Sequence, residues 1–269
     1  MKFKIFLLCL WPMFLVSCDP IAADEQLIEV PAKELSPTST PRNILLEDFT
    51  GQKCPNCPTG TDVIEQLHEA YGSRLIPVGI HGGPLGVKGT ATVVGLATDL
   101  GDTYYDHWRL EYQPVGLINR GAATNYPDWI SAVRHESERE SGTSLEVLAN
   151  VTADAIEITI TARRLAADAY QGKLQVWVLE DSIVARQIMP DGSVNLDYIH
   201  NHVLRTAVNG TWGEDFSLAA DEKRTLQFSQ PIAPSWSAAH LSVVAFLYND
   251  RGVEQVERTH PQSLRKEGE

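Results

Sequence analysis

The stretch from Ile44 to Tyr71 limits the possible folds more than any other part of the chain. Ile44-Leu45-Leu46-Glu47-Asp48-Phe49 is a short apolar run of the buried-strand type. Thr50-Gly51-Gln52-Lys53 then turns the chain into Cys54-Pro55-Asn56-Cys57. Thr59 to Tyr71 follows helical spacing, with Val63, Ile64, Leu67 and Ala70 on one face. Strand, C-x-x-C and helix in that order place two thiols on one turn, close enough for a disulfide. The free N–H groups of a helix N-terminus favour a thiolate there, and Lys53 adds positive charge beside Cys54.

The rest of the first half continues the alternation. Arg74 to His81 reads as a second strand, and Gly82 to Gly89, with four glycines and a proline, as a loop. Thr90 to Glu111 is expected to be an inserted helix. Val115 to Asn119 is expected to be a third strand and Pro127 to Glu140 a closing amphipathic helix. This order implies an α/β layer structure over residues 43–142. From Thr143 the texture changes. Ser144 to Val151, Ala155 to Arg163, Lys173 to Asp181, Lys223 to Gln230 and Leu241 to Asp250 are strand-like, several with strict alternation. Residues 143–269 are therefore expected to form an antiparallel β-sandwich; one continuous α/β unit is the alternative.

The N-terminus indicates the compartment. Lys2 and Lys4 precede an apolar run from Ile5 to Val16 that breaks at Ser17-Cys18, the pattern of a secretory signal over residues 1–17. That run falls short of the roughly 20 residues a membrane span needs. No later segment reaches that length without charges, so no transmembrane helix is expected in the mature protein. Residues 18–42 carry Pro20, Pro31, Pro37 and Pro41 and read as an extended tether. Within it, Leu27-Ile28-Glu29-Val30 could pair as an edge strand. The chain holds four cysteines. Cys9 lies in the signal and Cys18 ends it, which leaves Cys54 and Cys57 as the only pair and excludes a multi-bridge framework.

Composition and charge narrow the partners. A formal net charge of −13 argues against nucleic acid and anionic lipid. Zinc would need about four ligands; Cys54 and Cys57 with His68 or His81 would have to supply them, and no second C-x-x-C exists. Haem attachment through C-x-x-C-H fails at Pro58. His200 and His202 alternate along an extended segment and should point the same way, which suits a surface or packing role better than a metal site. Asn150-Val151-Thr152 and Asn209-Gly210-Thr211 match the glycosylation acceptor pattern, which is short enough to arise by chance. No metal and no cofactor are expected.

Three resemblances add to this. Leu15-Val16-Ser17-Cys18 resembles the bacterial lipobox, which implies lipidation of Cys18 and a membrane anchor; an ordinary signal peptide ending in a chance cysteine is the alternative. Glu47 to Cys57 resembles the thioredoxin active-site stretch. That resemblance implies that Asp48, six positions before Cys54, is a buried base acting towards Cys57. Gln113-Pro114-Val115 is similar to the cis-proline segment of the same family. The sequence departs from that family where Lys53 and Thr50 replace tryptophans. Over the whole chain, Leu45 to Gly51 with C-P-N-C-P, Gly116 to Arg120 and Tyr198 to Arg205 resemble the Omp28-related outer membrane lipoproteins. This implies a thioredoxin-like domain, then an immunoglobulin-like sandwich, and a location at the outer membrane.

Two functions follow as expectations. One is thiol–disulfide exchange on exported proteins, with Cys54 attacking, Cys57 resolving, Asp48 as base, and a redox partner to recycle the pair. The other is a binding lipoprotein in which Cys54–Cys57 is a structural staple and the sandwich holds a partner.

Overall fold

The computed structural model describes residues 38–263. The expected signal, Cys18 and the expected strand at 27–30 lie outside the described residues. The first half runs β1 (Thr40–Pro41), β2 (Ile44–Thr50), α1 (Cys57–Tyr71), β3 (Leu75–His81), α2 (Asp99–His107), β4 (Val115–Ile118), β5 (Ala123–Asn125), α3 (Trp129–Ser137) and β6 (Glu140–Ser141). The second half contains strands and one short 3-10 turn: β7 (Thr143–Val151), β8 (Ala155–Arg164), β9 (Tyr170–Glu180), β10 (Ile183–Ile188), β11 (Val194–His200), β12 (Val203–Ala207), β13 (Glu214–Leu218), β14 (Lys223–Pro231), β15 (Leu241–Asn249), β16 (Gly252–Thr259) and β17 (Gln262–Ser263). The molecule is thus β-rich, with its described α-helices all in the first half.

One nine-stranded sheet runs through both halves in the order β16-β15-β9-β12-β3-β2-β4-β5, with β13 added beside β9. β2 and β3 are parallel, in register from Ile44 opposite Leu75 to Thr50 opposite His81. A crossover is needed to join parallel neighbours, and α1 supplies it. β4 returns antiparallel to β2. β12 joins β3 in parallel at Val203 opposite Gly79, and β9 pairs antiparallel with β12. A four-stranded sheet, β14-β8-β7-β17, is separate from it.

Three apolar cores hold these layers. Ile44 and Leu46 of β2 face Ile64 and Leu67 of α1 and Trp129 and Val133 of α3. Leu45 and Phe49, on the opposite face by strand alternation, join Ile76, Val78, Ile80, Tyr104, Trp177 and Phe246. Alternation also splits β9. Leu174, Val176 and Val178 pack with Val147, Ile158 and Ile160 of the four-stranded sheet, while Trp177 and Leu179 turn to the second core. Gly116 shows how tight the helix-facing layer is: a Cβ there would lie 2.5 Å from Trp129 Nε1 and 3.1 Å from Leu46 Cδ1. Trp129 is fully buried and donates to Thr124 O at 3.0 Å, so it has little room to yield. Gly116→Ala is expected to cost about 1–3 kcal/mol by overpacking, read as a lower urea midpoint with an unchanged slope.

Two expectations need correction. The helix expected at Thr90 to Glu111 is confined to Asp99–His107. Thr98 caps it, its side chain accepting from Gly101 N, and the preceding segment is an irregular loop with a bridge between Lys88 and Ala97. Thr92, Val93, Val94 and Gly95 are poor helix formers, and Gly95 lies too close to Lys88 for any side chain. The second correction concerns the histidine pair. β11 ends at His200, and His202 has φ 57° in the turn that follows, so the two side chains do not share a strand face.

Candidate functional site around the Cys54–Cys57 disulfide

The helix-facing side of β2 and β3 changes character along its length. Ile44 and Leu46 are core, but Asp48 and Thr50 occupy the same face nearer the strand's end, opposite Gly79 and His81 of β3. Polar residues and a glycine at these positions leave a gap between sheet and helix. The gap is a cavity of about 320 Å³ whose lining includes Asp48, Cys57, His81, Gln187, Tyr198 and His200. The Gly79 N–H donates to His202 O at 2.8 Å and ties the corner between β11 and β12 to the sheet.

Cys54 and Cys57 form a disulfide, with Cα atoms 5.4 Å apart. Asn56 is the helix N-cap, Cys57 is the first residue of α1 and Pro58 the second, where a missing N–H costs nothing. Lys53 is exposed, and its N–H donates to Leu85 O at 3.0 Å. The Gln113–Pro114 bond is cis. Gln113 fixes that segment by donating from Nε2 to Thr50 O at 2.7 Å and Gly82 O at 3.0 Å, at the ends of β2 and β3. Pro114 lies over the first turn of α1, where a Cβ on Gly60 would sit 3.3 Å from its Cγ. All four residues expected to carry the chemistry therefore sit where the ends of β2 and β4 meet the start of α1.

Burial dominates the electrostatics of the cavity. Asp48 is 4% exposed, and desolvation raises its pKa to about 7. Among the described residues its Oδ1 has no hydrogen-bond partner. His81 and His200 meet edge to face at 5.4 Å. Burial lowers the pKa of both, His200 to about 4, so both rings are neutral at pH 7. Among the described residues His81 Nδ1 and His200 Nε2 are also without hydrogen-bond partners. His202, by contrast, faces Asp181, with Nδ1 3.1 Å from Oδ1. No cluster of three or more His, Cys, Asp or Glu suited to a metal occurs among the described residues.

The sequence reading missed two buried amides. Gln52, fully buried, donates from Nε2 to Val94 O and Arg186 O, and its Oε1 accepts from Leu96 N. Gln187, 2% exposed, donates to Cys54 O at 2.8 Å, Ile188 O at 3.0 Å and Gly51 O at 3.4 Å. An amide inside an otherwise polar stretch gives no sign in the sequence that it is buried. Together these contacts bind β10 and the 82–98 loop to the Gly51–Cys54 turn, and Cys54 is 0% exposed.

An α/β half with a disulfide at a helix N-terminus, joined through one shared sheet to a β half, defines the class. A profile of the family described as Outer membrane protein Omp28 matches residues 101–264, more than half of the sequence. The chain belongs to the Omp28 family. The matched segment includes Pro114 but begins after Asp48 and the cysteines, so membership carries no argument about the cysteine pair. Among solved structures, HBP35 of Porphyromonas gingivalis is similar over 85% of this chain and 78% of its own, at 15% identity with a TM-score of 0.64, a likeness of fold alone. A domain of the outer membrane lipoprotein Omp28 from Porphyromonas gingivalis is 25% identical over 46% of this chain and 92% of its own, with a TM-score of 0.35. No curated protein matches the chain.

Proposed function

We propose that this chain is an outer-membrane lipoprotein, anchored through lipid on Cys18, whose thioredoxin-like first half exchanges disulfides with exported proteins while an immunoglobulin-like sandwich completes the fold. The observation that carries the exchange reading is Asp48, a buried acid with a pKa near 7 lining the same cavity as Cys57. In the disulfide form, a thiolate of the exported protein attacks Cys54 Sγ. The Cys54–Cys57 bond breaks, a mixed disulfide forms on Cys54, and Cys57 leaves as a thiolate that takes the proton of Asp48. A second thiolate of the exported protein then attacks its own sulfur in the mixed disulfide. It leaves with a new disulfide, and the protein holds both electrons as a dithiol. Run in reverse, Asp48 is the base for Cys57. A redox partner must reset the pair in either direction.

The complete burial of Cys54 favours a second reading, in which the disulfide is a structural staple and the β half binds a partner. A redox titration of the full chain separates the two, with alkylated Cys54 and Cys57 followed by peptide mass spectrometry. Exchange predicts a midpoint between about −270 and −120 mV. A midpoint below about −300 mV would sink the exchange reading and leave the staple.

A further inference from the structure

We propose that the β10–β11 hairpin is a latch over the disulfide, with Gln187 as its bolt, and that Cys54 reacts only when this hairpin lifts. This deepens the exchange reading and rests on it. The hairpin forms its own two-stranded sheet and pairs with no strand of the larger sheets. Val184, Val194, Leu196 and Ile199 are exposed on it, so much of its surface meets no other part of the chain. Its inner residues do the holding. Gln187 donates to Cys54 O and Gly51 O, Ile188 N donates to Gln52 O at 3.0 Å, and Gln52 answers by donating to Arg186 O. These few bonds join a two-stranded element to the turn that carries the nucleophile. Ala185 and His200 add two buried side chains to these bonds, His200 against His81 at 5.4 Å, and an element with so few attachments opens at lower free energy than the strands of a packed sheet.

The arrangement also selects what the disulfide can meet. Cys54 is 0% exposed, so neither a small thiol nor a folded protein's disulfide reaches Sγ in this conformation. Attack must travel in line with the Cys54–Cys57 bond, so access to Cys54 governs the whole exchange. Gln187 touches the backbone of the cysteine turn, not the sulfur, and is therefore a positioning residue. It sets how often the site is open.

The test is the rate at which dithiothreitol reduces the disulfide in the full-length protein, trapped by alkylation, against a cyclic peptide holding the same C-P-N-C. The intact protein is expected to react at least about a hundredfold slower than the peptide. Gln187→Met keeps the side chain's bulk and removes the donor, and is expected to speed reduction about tenfold. Ile158→Val, a mild loss of packing in the four-stranded sheet, should leave the rate alone. Reduction of the intact protein at the peptide's rate, or equal rates for Gln187→Met and the parent, would overturn the latch. So would equal acceleration by Gln187→Met and Ile158→Val. If Gln187→Met does not fold, hydrogen exchange of the parent decides. The amides of residues 183–199 should open before those of β9 and β15, and opening only with global unfolding refutes the latch. A failed latch leaves the measured potential as it was, and a potential below the exchange range leaves these rates as they were, so the two ideas fail separately.

Discussion

Arg120→Met is expected to destabilise the fold by about 3–5 kcal/mol, a drop of very roughly 10 °C in Tm for a chain of this size. Arg120 is 9% exposed and sits at the end of β4 with its Nε 3.5 Å from Glu47 Oε1. Its guanidinium lies 4.0 Å from the ring centre of Tyr248, 4.8 Å from that of Phe246 and 5.7 Å from that of Trp177. One side chain thus neutralises a carboxylate inside the sheet and plugs the aromatic core between the halves. Desolvation raises the Glu47 pKa even with Arg120 beside it, so burial outweighs the attraction of the pair. Truncating Arg120 removes the attraction and keeps the burial. Combining Glu47→Leu with Arg120→Met should therefore recover much of the loss. Urea unfolding of the two single variants and the double measures this. A single-variant cost under about 1 kcal/mol would mean that Glu47 is neutral and the pair stabilises nothing.

Asp48→Asn should act in the opposite direction and stabilise the protein, most strongly at alkaline pH. The ordinary carboxyl pKa is 3.8 and the folded value is about 7. Between these values the folded state keeps a proton that the unfolded state has released, so stability falls as pH rises through that window, and the full penalty stands above pH 7. A shift of this size amounts to at most about 4 kcal/mol. Asn removes the titration and keeps the shape, so the gain should be about 2–4 kcal/mol at pH 8 and close to zero at pH 3.5. His81, His200, His202, Glu65 and Tyr198 line the same cavity, which is why the difference between variant and parent is the quantity to measure. A gain that is equal at both pH values would mean that Asp48 is not held protonated.

Residues whose neighbours in sequence are also their neighbours in space were legible. The run Ile44 to Phe49, the helix after the cysteines and the alternation at Ile156 to Thr161 all became the elements their patterns demand. The cysteine pair, Asp48 and Pro114 were singled out by resemblance to a motif, and the structure places them together around the start of α1, with the Gln113–Pro114 bond cis. What stayed hidden depends on long-range partners. β10 to β13 are short and polar, and they hold their place by pairing and by amide contacts to segments far away in sequence. Arg120 gave a faint signal, a charge closing an apolar run that faces another charge, Glu47, inside a buried strand. His200 and His202 were misread because a positive φ at His202 breaks the strand between them, a backbone state that sequence spacing does not encode.

The shared sheet has a consequence for how the molecule comes into being. β3 is an interior strand of buried type, yet the neighbour on its open side, β12, arrives far later in the chain, and β9, β15 and β16 extend the sheet from there. Asn119 is also completed late: its carbonyl accepts from Val253, and Asn43 N reaches Gln255. A chain delivered N-terminus first therefore presents a bare, apolar sheet edge until its last strands follow. Such an edge invites pairing with other chains. Truncation within β15 or β16 should therefore yield aggregates instead of a free-standing first half.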